Sequence, residues 1–457
     1  MATELIFIVA VLLVALFVGT PVSTALGVTA LAAMLIFMAP SHVIRFGVMG
    51  YIQGTSANQM VAPLFILMAE FLAQGGIARD IYDLLSRLLH RLRGGLAIST
   101  TLACTVFAAL CGSSPATAAA IGRISISQMT ERGYAPSFAV GTVAAGGTLG
   151  IMIPPSLTFV LYGIITETSI AKLLMAGLLP GLMLSAMFIV FIIIRSFVNP
   201  SLTGDKYRGG KRGAPLPGGA FPAAGGEDGA AGTALQEAEG KSMGRLLAAT
   251  APAMALIVLV LGALYTGLAT PTESAGIGAL GALAIVLARR RLTREGFGSI
   301  IRAAVKTSVM ILFMIIFGMV LSYVISYLGI SQMLAGFIVG AGLGRWAVMA
   351  LLFVLWFVMG CLMDPGSMVI LTIPFIYPAL MAMGFDSIWL GIVSTLCVEI
   401  GMITPPVGLN LFVLRSVSEI EMKVIIRGAV PYVGVLIVAL VILCIFPNIA
   451  LLLPSLM

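Results

Sequence analysis

Two pairs of consecutive prolines, Pro154-Pro155 and Pro405-Pro406, stand inside long apolar stretches of this chain. Because proline has no backbone N–H, it cannot donate a hydrogen bond to the carbonyl four residues earlier in a helix. The carbonyls expected to lose their donors in this way are those of Gly150, Ile151, Gly401 and Met402. Free carbonyls and hydroxyls are hard oxygen ligands for small cations such as Na⁺, whereas half-helix N-termini favour anionic groups.

Each proline pair has a partner segment, a short polar interruption in an earlier apolar stretch. We expect Cys111–Thr117 (CGSSPAT, with Ser113 and Ser114) to face Gly150–Ser156, and Gly360–Ser367 to face Gly401–Gly408. Lipid cannot satisfy the backbone groups of a helix broken at mid-membrane, so these segments must line a cavity that is protein-buried or wet. Each motif alone also fits an ordinary proline kink; two motifs in register favour a binding function.

Several charged residues in or near apolar segments are functional candidates. Asp364 can neutralise a cation or cap the half-helix that follows it, and Glu399 can contact an ion or substrate or pair with freed backbone donors. Arg123 can meet an anionic substrate or extend to the cytoplasmic face. Ser156 and Gly408, which lie in the two Pro-Pro segments, complete the candidate substrate contacts.

The composition indicates that these residues lie on membrane-spanning helices. Of 457 residues, 60% are hydrophobic and only 9% are charged, against about 25% charged in soluble domains. Apolar stretches of about 20 residues recur, as membrane-spanning helices require. This excludes a water-soluble enzyme, and it does not fit the alternating strands of an outer-membrane barrel. The net charge is +7. In membrane proteins a surplus of Arg and Lys usually marks the cytoplasmic loops, so the charge does not indicate a nucleic-acid partner.

Cysteine and histidine usage predicts neither disulfides nor a metal cage. The five cysteines lie in apolar segments without CxxC spacing, and two histidines are too few for a His-based metal site. The first residues, MATELIFIVA, carry Glu4 and no basic region, so we interpret them as the first span and not as a cleaved signal peptide.

A polar segment divides the chain into two repeats. Residues 199–242 are rich in Gly, Ala and Pro, and they predict a disordered linker between a first repeat, 1–198, and a second, 243–457. Gly150 and Gly401 open similar motifs 251 residues apart, and Thr20-Pro21 matches Thr270-Pro271 at an offset of 250. Such self-similarity indicates an internal duplication.

The arginines indicate that the two repeats have opposite orientations. The arm 77–93 carries four arginines, whereas its counterpart 327–343 has no charge. Conversely, 289–306 carries six basic residues and its counterpart 39–56 has only Arg45. Under the positive-inside rule these equivalent segments lie on opposite faces, which is typical of inverted-topology transporters.

Five crossings in each repeat agree with this inversion. The predicted crossings lie near 4–19, 23–39, 59–75, 137–165, 170–196, 246–265, 271–289, 303–328, 387–415 and 428–450. Segments 95–130 and 346–383 are predicted to be re-entrant helical hairpins. The linker is then cytoplasmic and both termini are periplasmic. The expected fold is an all-α polytopic membrane protein.

At this point the chain resembles a known family. The segments CGSSPATAAAIG, GTLGIMIPPS and GMITPPVGLNLFV resemble the large membrane subunit of tripartite ATP-independent periplasmic (TRAP) transporters, the DctM-like family. GTPVSTALG, ATPTESAGIGAL and AGLLPGL are similar to further family segments. The resemblance covers nearly the whole chain apart from the linker, which is unusually long.

The resemblance implies a secondary transporter of the bacterial inner membrane with an elevator mechanism, in a fold like that of the ion transporter superfamily. Such proteins import organic acids, including C4-dicarboxylates and sugar acids such as sialic acid, with a Na⁺ gradient and without ATP. A periplasmic (DctP-like) binding protein delivers the substrate, and a small four-helix (DctQ-like) membrane subunit braces the large one. Here no four-helix extension precedes residue 1, so we expect the small subunit to be a separate chain.

The resemblance also implies the sodium ligands. They match Ser114, Gly150, Ile153 and Pro154 in one site, and Gly401, Thr404 and Pro405 with residues around Gly360 and Ser367 in the other. To these we add, as candidates from the residues themselves, Ser113, Thr117 and Asp364. Cys111 stands where many relatives have Ser, and Cys397 where many have Asn, which puts a hydroxyl ligand at 111 in doubt.

Three alternatives stay open from the sequence. The first is an intramembrane hydrolase or acyltransferase, which needs a nucleophile with a base. Lys172 is the only lysine near a Pro-Pro segment that could act as this base. A channel would conduct without alternating access. A related Na⁺/carboxylate elevator carrier would work without a binding protein.

Overall fold

The computed structural model of the chain describes residues 2–203 and 242–457, apart from 291, 341 and 343. Residues 204–241 of the predicted linker lie outside these ranges. The predicted start of the linker at 199 is wrong, because Pro200–Leu202 form a 3-10 helix. The backbone N–H of Ala135 donates to the carbonyl of Leu202 at 3.0 Å, which holds this turn against the preceding helices.

All regular elements in the described ranges are helices, as expected. Those of the first repeat are α1 (Ala2–Phe17), α2 (Val22–Phe37), α3 (Pro40–Gly54), α4 (Val61–Gln74), α5 (Ile77–Leu89), α6 (Gly95–Cys111), α7 (Ser114–Glu131), α8 (Pro136–Met152), α9 (Leu157–Thr166) and α10 (Ile170–Val198). A 3-10 turn, Ala57–Met60, joins α3 to α4.

The second repeat follows the same order. Its helices are α11 (Met243–Tyr265), α12 (Pro271–Ala288), α13 (Arg294–Tyr327), α14 (Ile330–Gly340), α15 (Arg345–Leu362), α16 (Pro365–Ala382), α17 (Ser387–Met402), α18 (Leu409–Ser418), α19 (Met422–Ile445) and α20 (Asn448–Leu451). The chain ends in a 3-10 turn, Pro454–Leu456. Helices therefore occur at each predicted crossing and in each predicted hairpin, with both Pro-Pro segments breaking their helices.

The hydropathy pattern did not predict α3, and it placed the start of α13 too late. α3 carries polar and charged residues and has no buried side chain, so it lacks the apolar signal of a span. The helix predicted at 303–328 begins earlier, at Arg294, because Thr293 caps it by accepting the N–H of Gly296 at 3.0 Å. The early part of α13 thus corresponds, 251 residues on, to α3.

By length and apolar composition, eight helical segments within the described ranges can cross a bilayer, or nine if the bent pair α4–α5 forms one span. The chain is thus a multi-pass membrane protein. α1 and α2 are shorter, at 16 residues each. α15 and α16 are each long enough to cross, so the re-entrant placement of the hairpins stays a prediction.

The helices pack into two hydrophobic cores, and each core draws on both repeats. One core is formed chiefly by α6–α10 with α15–α20. The other is formed chiefly by α1–α5 with α11–α14. Helices α6, α7, α9 and α16 contribute side chains to both cores and so lie at the boundary.

An ion pair joins the two arginine-rich arms that the charge pattern assigns to one face. The Arg289 guanidinium lies 2.5 Å from the Asp80 carboxylate, and both side chains are largely buried. The same guanidinium donates to the carbonyl of Ala249. Because Asp80 belongs to the arm 77–93 and Arg289 to the arm 289–306, this contact supports the predicted inversion of the repeats.

The contact between α8 and α19 depends on two glycines. A Cβ on Gly141 would meet the carbonyl of Gly428 and lie 3.0 Å from the Gly428 Cα. Small residues allow such close backbone approach in membrane proteins. Next to this contact, the hydroxyls of Thr142 and Tyr432 share a hydrogen bond of 2.8 Å.

We predict that Gly141→Ala lowers the melting temperature of the detergent-solubilised protein. The added methyl forces α8 and α19 apart, at a cost of about 1–3 kcal/mol in the free energy of unfolding. Gly434→Ala on α19 is the matched control, because a Cβ there meets nothing within 4 Å. Equal melting of the two variants would contradict the close contact.

Candidate functional site

The tip of the first hairpin is a tight turn between α6 and α7. Gly112 has a φ of +64°, and a Cβ there would meet the Pro155 carbonyl. The Leu157 N–H points at the Gly112 carbonyl at 3.5 Å. The hairpin tip therefore lies directly against the first Pro-Pro segment, as the sequence predicted.

Gly150 brings the end of α8 onto the same tip. A Cβ at Gly150 would lie 2.6 Å from the Ser113 carbonyl oxygen and 2.7 Å from the Thr117 Oγ1. Thr117 Oγ1 itself donates to the Ser113 carbonyl at 2.9 Å. Carbonyl and hydroxyl oxygens thus gather where α8 loses its helical donors to Pro154 and Pro155.

The second hairpin repeats this arrangement. The Gly408 N–H donates to the Cys361 carbonyl at 2.9 Å. A Cβ on Gly401 would lie 2.6 Å from the Cys361 backbone nitrogen, and one on Gly360 would lie 3.0 Å from the Val398 carbonyl oxygen. The predicted partner segments are therefore in contact in both repeats.

The predicted residues differ in their accessibility. The buried ones are Ser114, Thr117, Gly150, Ile153, Pro154, Ser156, Gly360, Ser367, Glu399, Gly401 and Gly408. Ser113, Asp364 and Thr404 are half-buried, whereas Pro405 and Arg123 are exposed. The exposed Arg123 lies on α7, nine residues beyond Ser114, and is not brought into contact with the hairpin tip.

Two of the candidate polar residues cap helices. The Asp364 carboxylate accepts the Ser367 N–H at 2.9 Å and also the Ser367 hydroxyl, so it caps α16. Ser156 caps α9, with the Phe159 N–H 3.4 Å from its Oγ. Such caps satisfy the donors that a helix start leaves unpaired.

The expectation that Gly401 carries a free carbonyl is wrong. Its oxygen accepts the Thr404 N–H at 3.0 Å, because the chain tightens into a turn before the prolines. The Thr404 hydroxyl donates to the Ile400 carbonyl at 2.6 Å. A carbonyl has two lone pairs, so one stays available on the Ile400 oxygen. The Gly401 oxygen also accepts the Ile403 N–H, which engages its second lone pair.

Glu399 is fully buried on α17, and neither carboxylate oxygen has a hydrogen-bond partner among the described residues. A carboxylate in an apolar interior is costly unless it is paired, hydrogen-bonded or neutralised. Glu399 is therefore the candidate whose environment most requires a bound cation or proton.

Asn410 is the site residue that the sequence reasoning missed. It lies on α18, directly after the second Pro-Pro segment, and its Nδ2 donates to the Ser114 Oγ at 2.7 Å. Both side chains are fully buried. The signal available in the sequence was a lone amide in the apolar segment GLNLFV.

In the described part of the chain, no group of three or more His, Cys, Asp or Glu side chains could hold a metal ion. The two break sites instead offer backbone carbonyls, hydroxyls and one amide. Oxygen donors of this kind suit hard cations.

The fold and these paired oxygen sites define a multi-pass, all-helical membrane transport protein. The crystal structure of the Alcanivorax borkumensis YdaH transporter has a similar fold, with a TM-score of 0.56 over 91% of this chain and 88% of that one, at 14% identity. The profile of the family described as "Tripartite ATP-independent periplasmic transporter, DctM component" matches residues 9–449. The chain belongs to this family.

Alignments with individual relatives cover nearly the full length of both proteins. A C4-dicarboxylate TRAP transporter large permease protein DctM from Pseudomonas aeruginosa is 33% identical over 94% of this chain and 93% of its own. One of the same name from Vibrio cholerae is 31% identical over 100% and 98%. A sialic acid TRAP transporter large permease protein from Vibrio cholerae is 27% identical over 96% of each chain. The chain is thus a transporter permease subunit and not an enzyme.

We predict that Asp364 acts through its cap and not through its charge. Asp364→Asn keeps an acceptor for the Ser367 N–H and should melt like the wild type, whereas Asp364→Ala should lose about 1 kcal/mol. Melting temperatures measured in NaCl and in KCl test this. If both variants lose the stabilisation by Na⁺ equally, the carboxylate charge neutralises a cation and the capping assignment is wrong.

Proposed function

We propose that this subunit imports an organic acid anion together with Na⁺. The observation that carries the proposal is the pair of oxygen-lined helix breaks, one in each repeat, each closed by its own hairpin tip. The Ser113 carbonyl and Thr117 Oγ1 at Gly150 form the first group of oxygens. The Gly401 carbonyl and the Thr404 hydroxyl belong to the second.

The substrate class follows from the relatives. Those named for C4-dicarboxylate are the more similar to this chain, at 33% and 31% identity, and the sialic acid relative is at 27%. A C4-dicarboxylate is accordingly the first substrate to test, and a sugar acid is the second.

The proposed assembly is tripartite. A periplasmic DctP-like binding protein delivers the anion to the outer face, and a small four-helix DctQ-like subunit braces this chain in the bacterial inner membrane. The arginines of the arms 77–93 and 289–306 favour a cytoplasmic position for both arms. The linker is then cytoplasmic and the termini are periplasmic.

The proposed motion is of the elevator type. Two features support it: the two cores, and a cavity of about 490 Å³ that residues of both cores line. Residues from α3 and the turn 57–60, such as Gln53 and Gln59, line one side of the cavity; Thr168 and Ser169 line the other. Sliding of the α6–α10 core against the α1–α5 core would change this cavity.

The test is uptake into proteoliposomes that hold this chain with its small subunit. A labelled C4-dicarboxylate is supplied on its cognate binding protein, with and without an inward Na⁺ gradient. We expect uptake that requires both. Uptake with Na⁺ alone would make the protein a binding-protein-independent carrier, and uptake independent of Na⁺ would overturn the coupling.

The double variant Ser114→Ala, Thr404→Val should need roughly tenfold more Na⁺ for half-maximal uptake. This corresponds to a loss of about 1.4 kcal/mol in the free energy of Na⁺ binding. Ser125→Ala, Thr395→Val is the matched control. It removes a buried hydroxyl from α7, eleven residues beyond Ser114, and a helix-bonded hydroxyl from α17, nine residues before Thr404. Normal Na⁺ activation of the first variant would count against the assigned sites.

A further inference from the structure

A single hydrogen bond connects the two repeats at the candidate site. Ser114 is the first residue of α7, at the tip of the first hairpin, and Asn410 follows the second Pro-Pro segment on α18. The Asn410 Nδ2 donates to the Ser114 Oγ at 2.7 Å, and both residues have no exposed surface. The amide N–H groups of Asn410 are thus turned toward the hairpin tip.

The other end of the same amide has no partner. Asn410 Oδ1 is buried without a hydrogen bond among the described residues. A buried acceptor left unpaired costs about 1–3 kcal/mol, so such atoms in native proteins are satisfied by a ligand, ion or water. A hydrogen-bond donor or a cation is therefore expected beside Oδ1 in the working protein.

The neighbouring atoms favour a cation over an organic acid. Ser113 precedes Ser114 in the hairpin tip, and Gly150 packs against the Ser113 carbonyl with a Cβ position 2.6 Å from its oxygen. Thr117 Oγ1 lies on the same turn. These are neutral oxygens, which repel a carboxylate and suit a hard cation.

The repeat does not require this contact. At the offset of 251 residues, the position of the other repeat that corresponds to Asn410 is Phe159, and the position that corresponds to Ser114 is Pro365. Neither of these side chains can hydrogen-bond, and the corresponding helices α9 and α16 meet through Leu161, which is 2.9 Å from a Cβ position on Gly366. The polar contact is thus a departure from the repeat at one of the two sites.

We propose that Asn410 Oδ1 is a further ligand of the Na⁺ ion bound at Ser114. The ion then joins α18 of the second repeat to the hairpin of the first, so its binding fixes the relative position of the two repeats around the substrate. This inference rests on the proposed Na⁺ coupling.

The test is thermal melting of the purified full chain in increasing NaCl, with ionic strength held constant by KCl. For Asn410→Ala we expect the NaCl concentration that gives half of the melting shift to rise by about tenfold or more, the range seen when groups supporting a metal are removed. Asn410→Asp should lower that concentration, because a carboxylate attracts a cation more strongly than an amide does. Ser125→Ala, which removes a buried hydroxyl from the same α7, is the control and should titrate like the wild type.

Four results would overturn the proposal. If Asn410→Ala melts lower by the same amount in NaCl and KCl, with an unchanged Na⁺ titration, the residue is structural. If Asn410→Asp titrates with Na⁺ normally and loses only substrate uptake, Oδ1 faces the substrate. If NaCl does not change the melting temperature of the wild type, the proposed Na⁺ coupling is wrong. If NaCl shifts the melting temperature of the wild type and of both variants equally, Na⁺ binds but Asn410 is not a ligand. Should Asn410→Ala not fold, the near-isosteric Asn410→Asp decides alone.

Discussion

Every backbone polar group inside a membrane must find a partner within the protein, and the rest of this structure depends on that constraint. The prolines at 154–155 and 405–406 break two helices inside long apolar segments, so the backbone groups that lose helical partners need others. The hairpin tips supply it: the Gly112 and Cys361 carbonyls lie against the N–H groups of Leu157 and Gly408. Glycines at 150 and 401 let the tips approach so closely that a Cβ would collide. The same closeness gathers the oxygens that make the sites.

The two cores cut across the two repeats. The first repeat supplies chiefly α1–α5 to one core and the second repeat α11–α14, and each supplies its hairpin and later helices chiefly to the other core. Because no repeat can bury its apolar faces alone, the halves must interlock, with α4 packed on α12 and α8 on α19. The packed helices therefore divide between the two cores and not at the linker.

The two sites have diverged within this common frame. Thr148 and Glu399 occupy equivalent positions 251 residues apart, and both are fully buried. The Thr148 hydroxyl is satisfied by the Ala145 carbonyl at 2.7 Å, whereas the Glu399 carboxylate has no partner among the described residues. Pro154 and Pro155 are buried while Pro405 and Pro406 are exposed. The first Pro-Pro segment thus follows a neutral, satisfied hydroxyl and is closed, whereas the second follows a buried, unpaired carboxylate and is more open.

The sequence by itself determined the helical class, the duplication, the hairpins and the segments that face each other, because hydropathy, proline pairs and a fixed offset are local or periodic signals. It also left Asp364 undecided between cap and ion ligand, assigned Gly401 a free carbonyl and passed over α3 and Asn410. Those outcomes depend on side-chain geometry and on which helices meet. Ser114 and Asn410 are 296 residues apart, and no periodicity relates them, since their repeat counterparts are Pro365 and Phe159. Only the packing of α7 against α18 brings that serine and that amide into contact.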